Sequence, residues 1–297
     1  MISEQELDNL LSSTDKLFSN IYAFSLDPCD FGGKSHSGCA IAHQDLLERR
    51  VDFLRELRNT MSAWVYSKNK FAALFNEALA NRNLDLQNAT AQLNELVRSK
   101  FRRGYPAGQF GELLLFNLLQ RFYKAPPILR KMPLTTNPKI ERHGADAIHY
   151  RRSGNLNIVY LGEAKTYSSK NSFSKAVGDA IESTYGSYLG FQNELNLYVY
   201  DDLVADELLP VAKAVKENAL DDFVLEAVCI ISYDEQTQKV GETEADLHDC
   251  IEALVAKRLA ALKTKHGDGV NGPIFRRMHF YFLPFWGLKN LLEEFDK

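Results

Sequence analysis

The chain has 297 residues, 45% of them hydrophobic, and 35 Lys and Arg against 39 Asp and Glu give it a net charge of -4. That is enough apolar material for one large domain or two modest ones that fold without staples. No stretch approaches the roughly 18 apolar residues of a membrane helix, the acidic start MISEQELDNLL is unlike a signal peptide, and Cys29, Cys39, Cys229 and Cys250 form no C-x-x-C pair; the expectation is a soluble, cytoplasmic protein with no membrane contact, disulfide framework or zinc ribbon.

In chain order, residues 4–18 and about 44–99 read as helical, with Leu46, Phe53, Leu57 and Met61 in a three- and four-residue apolar pattern. Between them LDPCDFGGKSHSG (Leu26–Gly38) holds Pro28 and three glycines and predicts a long exposed loop. Residues 1–100 therefore read as an α-rich N-terminal region suited to partner contact or to completing the fold. From Gly108 the pattern changes to helix, strands, helix, strand. Gln109–Tyr123 is a strongly apolar helix, stopped by Lys124 and the Pro126-Pro127 pair. Ile128–Leu134 and Ala145–Arg151 read as short strands, and Asn157–Lys165 is β-branched and aromatic up to its charged end. A helix over Ser172–Tyr188 follows. The near-continuous apolar run Phe223–Tyr233 is the signature of a strand buried on both faces. A helix over Glu242–Lys265, a strand over Met278–Phe285 and a terminal helix complete residues 101–297. The fold class is α/β, a mixed sheet flanked by helices with an α-rich N-terminal region.

The charge is unevenly spread. Arg98–Lys175 carries 15 Lys and Arg against 4 Asp and Glu, a net +11 that leaves -15 on the rest. Such asymmetry points to an anionic partner. Arg98, Lys100, Arg102 and Arg103, with Arg151 and Arg152, are the residues expected to track a phosphate backbone on either side of a cleft. Three of the four acids in the segment, Glu112, Asp146 and Glu163, are candidate metal ligands.

Cleaving a phosphodiester requires a nucleophilic water, neutralised charge on the phosphate and a stabilised leaving oxygen, much of which a carboxylate-held divalent ion supplies. Glu163 and Lys165 stand two apart on one strand, so both side chains face the same way. One is a ligand, the other a compact positive charge for a phosphate or a water. Asp146 follows Gly144 and projects from a turn or the start of the neighbouring strand as a second ligand. An acid-x-Lys triplet arises by chance about two or three times in a chain of this composition; here the context of strand end, upstream Asp, flanking helices and basic surroundings gives it weight. The plainer reading is a solvated Glu163–Lys165 ion pair. Hard oxygen ligands suit Mg²⁺ or Mn²⁺.

The succession FGELLLFNLL, HGADAIHYR, NIVYLGEAKTY resembles the restriction-endonuclease-like fold of PD-(D/E)-x-K nucleases, and within it the nuclease subunits of the Hachiman anti-phage defence system. The likeness covers roughly Gly108–Tyr188. It implies a catalytic centre of Glu112 on the first core helix with Asp146, Glu163 and Lys165, metal held by Asp146, Glu163 and Glu112, DNA as substrate, and a superfamily 2 helicase subunit as partner. Ala145 stands where the motif's Pro would be.

Other signals weigh less. GGKS at Gly32–Ser35 lacks the first glycine of a phosphate loop, because that position is Pro28. Cys29, His36, Cys39 and His43 match no common zinc spacing. His143 and His149 flank Asp146 and are either acid–base helpers or plain strand-end histidines, while Tyr105, Tyr167 and Phe173 either stack on bases or pack in the core. The leading expectation is a metal-dependent deoxyribonuclease; the alternative is a non-catalytic nucleic-acid-binding or regulatory subunit of a helicase complex.

Overall fold

Four neighbouring parallel strands form the centre of the molecule, and their edges are closed by antiparallel ones. The computed structural model describes residues 2–27, 31–81, 85–104, 106–130, 144–198, 204–262 and 274–297. In chain order these form α1 (Glu4–Leu10), α2 (Asp15–Phe18), β1 (Ile21–Ser25), β2 (Ser35–Ile41), the hairpin β3 (His43–Gln44) and β4 (Leu47–Glu48), then α3 (Arg50–Asn59), α4 (Met61–Val65), α5 (Lys68–Asn81), α6 (Leu86–Ser99) and α7 (Pro106–Phe122). There follow β5 (Pro127–Leu129), β6 (Ala147–Ser153), β7 (Leu156–Tyr167), α8 (Phe173–Tyr198), α9 (Leu209–Lys216), β8 (Phe223–Asp234), α10 (Glu244–Ala260), β9 (Met278–Phe285) and α11 (Leu288–Phe295). The seven-stranded sheet has the order β1-β2-β9-β8-β7-β6-β5.

Strand β8 is the run buried on both faces that its apolar sequence predicts. Val228 and Ile230 pack with Leu113, Phe110 and Leu283 on the side covered by α3, α7 and α11, whereas Cys229 and Ile231 pack with Val177, Ile181 and Val255 on the side of α8 and α10. Residues on both sides of position 100 share the first of these cores: Phe53 stacks edge-on against Phe110 with ring centroids 6.4 Å apart, and Leu57 and Val97 lie in the same cluster. Among the described residues no helix is long and apolar enough to cross a membrane.

Part of the expected loop Leu26–Gly38 is strand. β1 pairs antiparallel with β2, and β2 joins the sheet beside β9. The physical reason is the use made of glycine. Gly38 stands opposite Phe24 in the register, and a Cβ there would lie 2.1 Å from the Phe24 ring, so the missing side chain seats an aromatic of the edge strand and does not break the strand. The span 44–99 is likewise not all helix, since it opens with the β3–β4 hairpin and its helices break at Thr60 and after Val65. Of the strand expected over Ile128–Leu134, β5 ends at Leu129 and the part beyond Arg130 lies outside the described residues, as does the end of the helix expected over Glu242–Lys265.

Candidate active site

Helix α7 approaches β7 closely because two glycines allow it. A Cβ on Gly111 would sit 2.5 Å from Thr166 Oγ1 and 3.2 Å from Ala164 Cβ, and one on Gly162 would sit 2.8 Å from Leu115 Cδ2 and 2.9 Å from Ala147 Cβ. Glu112, the residue after Gly111, is thereby carried close to the C-terminal part of β7. Strand alternation then sorts the side chains. Ile158, Tyr160 and Ala164 face α7 with the first core, whereas Val159 and Leu161 face the helices of the other layer. Glu163 and Lys165 continue that second row, and Lys165 Nζ reaches Ser183 Oγ of α8 at 3.4 Å.

Asp146 lies on the same face as Glu163. Gly144, at φ 95°, turns the chain into β6. The N–H of Asp146 then donates to Gly162 O at 2.9 Å, setting Asp146 across from Glu163. At this end of β6 the ladder stops, and the Asp146 side chain continues it: Oδ2 accepts the Ala164 N–H at 2.8 Å. β7 runs on to Tyr167, two residues past the expected end at Lys165, supported by β8. The site therefore forms where one neighbour of β7 leaves the sheet and the other stays.

Glu163 is buried, at 3% exposure, and Lys165 Nζ donates to its Oε1 at 2.6 Å. The solvated surface pair of the plainer sequence reading is thus replaced by a covered one. Burial, then the charges of Glu163 and Glu112, push the half-buried Asp146 carboxyl well above the usual carboxylate range, against the pull of the Ala164 N–H and of Lys165. Burial opposes the charge on Lys165, but Glu163 and Asp146 more than offset it and hold the ammonium above the usual lysine range. Glu112, on α7, adds a third negative charge that is felt at Asp146.

The donor set consists of carboxylate oxygens, which are hard ligands that fit Mg²⁺ or Mn²⁺, and the repulsion felt at Asp146 is what a divalent cation relieves. Among the described residues no three His, Cys, Asp or Glu side chains are gathered into a ready-made cage. A cation here would share Glu163 with Lys165.

The basic residues separate into two groups. Arg98, Arg102 and Arg103 line a cleft of about 60 Å³ with Arg58 and Gln109, the last of which accepts the Arg102 N–H at 2.7 Å. Lys100, the C-cap of α6, adjoins this group. Burial and then the neighbouring Arg98 lower the Arg58 guanidinium below its usual range, and the cleft opens at the start of α7, less than two turns from Glu112. Arg151 and Arg152 are elsewhere. Arg151 Nη1 holds Asp8 Oδ1 at 2.7 Å, and Arg152 Nη1 donates to Ile2 O at 3.4 Å, so both fasten the N-terminal segment onto β6. Arg151 pairs with Ile158, five residues before Glu163, or roughly 17 Å along the strand.

His149 is a core residue on the α7 side, hydrogen-bonded through Nδ1 to Ala125 O at 2.7 Å and pushed down to about 3 by burial. Phe173 is also core, edge-on to Tyr233 at 4.7 Å. Tyr167 donates its hydroxyl to Asp179 of α8. His36 bonds Asp27 and the Gly32 carbonyl, and Lys34 of the GGKS run pairs with Glu226. Cys29, Tyr105, Glu141 and His143 lie outside the described residues. Sequence reasoning missed Arg58 and Ser183. No local signal marks either, since each reaches its group only through tertiary packing.

The family model described as HamA matches residues 17–297 of the sequence. No curated protein matches it. The match spans nearly the whole chain, both the N-terminal strands and the carboxylate site included, and the chain belongs to the HamA family of the Hachiman defence system.

Proposed function

We propose that this protein is a metal-dependent deoxyribonuclease acting in anti-phage defence. The observation that carries the reading is that Asp146 is held against β7 on both sides of Glu163, its N–H donating to Gly162 O and its Oδ2 accepting the Ala164 N–H, with Lys165 Nζ 2.6 Å from Glu163 Oε1. Family membership supports the defence role, and the resemblance to PD-(D/E)-x-K nucleases supports the chemistry.

In this reading Asp146 and Glu163, with Glu112, hold Mg²⁺ or Mn²⁺. The bound ion supplies charge neutralisation on the phosphate and lowers the pKa of a water. Lys165 is held protonated by its carboxylate neighbours and offsets negative charge as it develops on the phosphate. Asp146 is oriented by the Ala164 N–H, so its carboxylate enters the site without a rotamer search. Arg98, Arg102, Arg103 and Arg58 draw the sugar–phosphate chain to the start of α7. Control is assigned to a HamB-like superfamily 2 helicase partner, since an unrestrained nuclease would threaten its host.

The test is cleavage of plasmid and linear DNA by purified protein, alone and with the helicase, in Mg²⁺, in Mn²⁺ and in EDTA. Metal-dependent cutting that disappears in Glu163→Gln and Lys165→Met supports the assignment. Wild-type cutting by a clean Glu163→Gln preparation overturns it, and DNA binding with no cutting under any of these conditions favours the non-catalytic DNA-holding subunit.

A further inference from the structure

A cavity of about 280 Å³ lies between α1, the start of α5, the end of β5 and the 3-10 turn Asp206–Leu208, and none of its walls belongs to the carboxylate site. Arg130 forms one wall. Its side chain follows β5 into the interior, and the residue is only 8% exposed. The guanidinium donates from Nε to the Ala63 carbonyl of α4 at 3.2 Å. A guanidinium carries five N–H donors, and among the described residues no carboxylate lies within ion-pair distance of this one. Burial pushes it down to about 10, and the nearest opposing charge, Glu207, only partly resists this. Glu207 itself accepts a hydrogen bond from the Asn69 amide at 3.2 Å. The result is a buried cation, fixed through Nε, in the wall of a cavity that Lys68, Glu6 and Glu207 also line.

A second, independent feature faces the same volume. Ser67, Lys68 and Asn69 line the cavity at the N-terminus of α5, a helix of 14 residues. First-turn N–H groups of a helix have no intrahelical acceptor. Ser67 Oγ accepts the Lys70 N–H at 3.2 Å, and Lys68 Nζ is anchored at the rim by the Asn9 carbonyl at 2.7 Å. A helix N-terminus and a planar guanidinium fork both favour an oxyanion, and their combination favours phosphate. The size limits what the phosphate can belong to. A water takes about 30 Å³ and ligand pockets run from about 300 Å³ upward, so the space accepts a phosphate with a small substituent and excludes a nucleic-acid strand.

We propose that Arg130 and the start of α5 form a binding site for a small phosphorylated molecule, separate from the carboxylate site and from the Arg102–Arg103 cleft. The chemistry is shared by free phosphate and by a phosphomonoester, and the test separates the two.

Calorimetric titration and thermal melting of the full chain at constant ionic strength use inorganic phosphate, ribose 5-phosphate and unphosphorylated ribose as probes. Saturable binding of a phosphorylated probe, with none of ribose, is expected. A preference for ribose 5-phosphate identifies a phosphomonoester site, and equal affinity identifies a site for phosphate itself. Arg130→Gln, whose amide can still reach the Ala63 carbonyl, should weaken binding by about tenfold or more. Should that variant fail to fold, the rim double variant Lys68→Ala, Asn69→Ala provides the same test, with a several-fold loss expected. Arg102→Glu, Arg103→Glu should leave phosphate affinity unchanged. The proposal is overturned if wild-type protein shows no saturable binding at tens of millimolar phosphate, if the Arg130 or rim variants bind as wild type does, or if the Arg102 and Arg103 changes are the ones that remove binding.

Discussion

Replacing Gly162 by alanine tests the close approach on which the carboxylate site depends. The new Cβ would lie 2.8 Å from Leu115 Cδ2 and 2.9 Å from Ala147 Cβ. The leucine can turn away, but the alanine Cβ is fixed to the β6 backbone, so β6 or α7 has to move. Overpacking of this kind typically costs about 1–3 kcal/mol, and two contacts under 3 Å belong in the upper half of that range. Alanine's smaller loss of chain entropy returns about 0.5–1 kcal/mol. The net loss is about 1–2.5 kcal/mol, or about 2–4 °C in Tm for a chain of this length, read by urea unfolding and by thermal melting. Gly186→Ala is the control, because a Cβ on Gly186 in α8 meets nothing within 4 Å and should stabilise the helix by up to about 1 kcal/mol. The displacement at Gly162 also shifts Asp146 relative to Glu163, so any metal-dependent activity should fall further than stability does. A Gly162→Ala protein as stable as wild type would refute the tight α7–β7–β6 junction.

Lys165→Met is expected to lower cleavage by about 10²–10³-fold while circular dichroism stays native, and near wild-type turnover would remove Lys165 from the chemistry. Arg102→Glu with Arg103→Glu should weaken DNA binding across sequences alike and flatten its salt dependence, whereas Arg151→Ala should leave both unchanged and cost only about 0–1 kcal/mol of stability through loss of its exposed Asp8 and Glu4 partners; filter binding over a salt series separates the two, and an Arg151 effect as large as the Arg102 one would place the nucleic acid across β6. His149 sets a pH dependence: burial takes its imidazole from 6.5 down to about 3, so above pH 6.5 it is neutral in folded and unfolded chains alike, and as pH falls below that value only the unfolded chain gains the proton. Stability is then lost progressively towards pH 3, by about 2 kcal/mol at pH 5, and His149→Gln should make that acid limb shallower by one proton; an unchanged slope in urea unfolding between pH 7 and 5 would show that His149 does not titrate as a buried group.

The central strands were legible because their burial is written into local composition. Phe223–Tyr233 and Asn157–Lys165 appear within two residues of the observed β8 and β7 ends, since a strand covered on both faces reads as a near-continuous apolar run with few polar breaks. The edge strand β1 and its neighbour β2 were not legible. Gly38 and the GGKS run carry turn chemistry in isolation, and only the Phe24 ring lying over Gly38 makes that glycine a strand residue. Edge pairing is a tertiary fact, and a single-chain pattern holds no trace of the partner.

The candidate site shows the same division at the level of charge. The two-residue spacing of Glu163 and Lys165 fixes a shared face whatever the rest of the fold does, so that pair could be read directly. Asp146 required only the hairpin register of β6 on β7, which short connection length nearly determines. The arginines could not be sorted in this way, because a positive charge in sequence carries no record of what neutralises it. Arg102 and Arg151 have the same composition of neighbours, yet one lies in a cleft with Arg58 and Arg98 where like charges are held together, and the other is bound to Asp8. Like charges brought together favour an anion from outside, and here Asp296 lines the same cleft while Glu294 offsets only part of the burial and repulsion felt at Arg58. Arg58, lowered by burial and by Arg98, is the member least served by solvent. The cleft at the start of α7 is therefore the candidate anion track, and the +11 of Arg98–Lys175 overstates it by counting Arg151, already paired with Glu4 and Asp8 of α1.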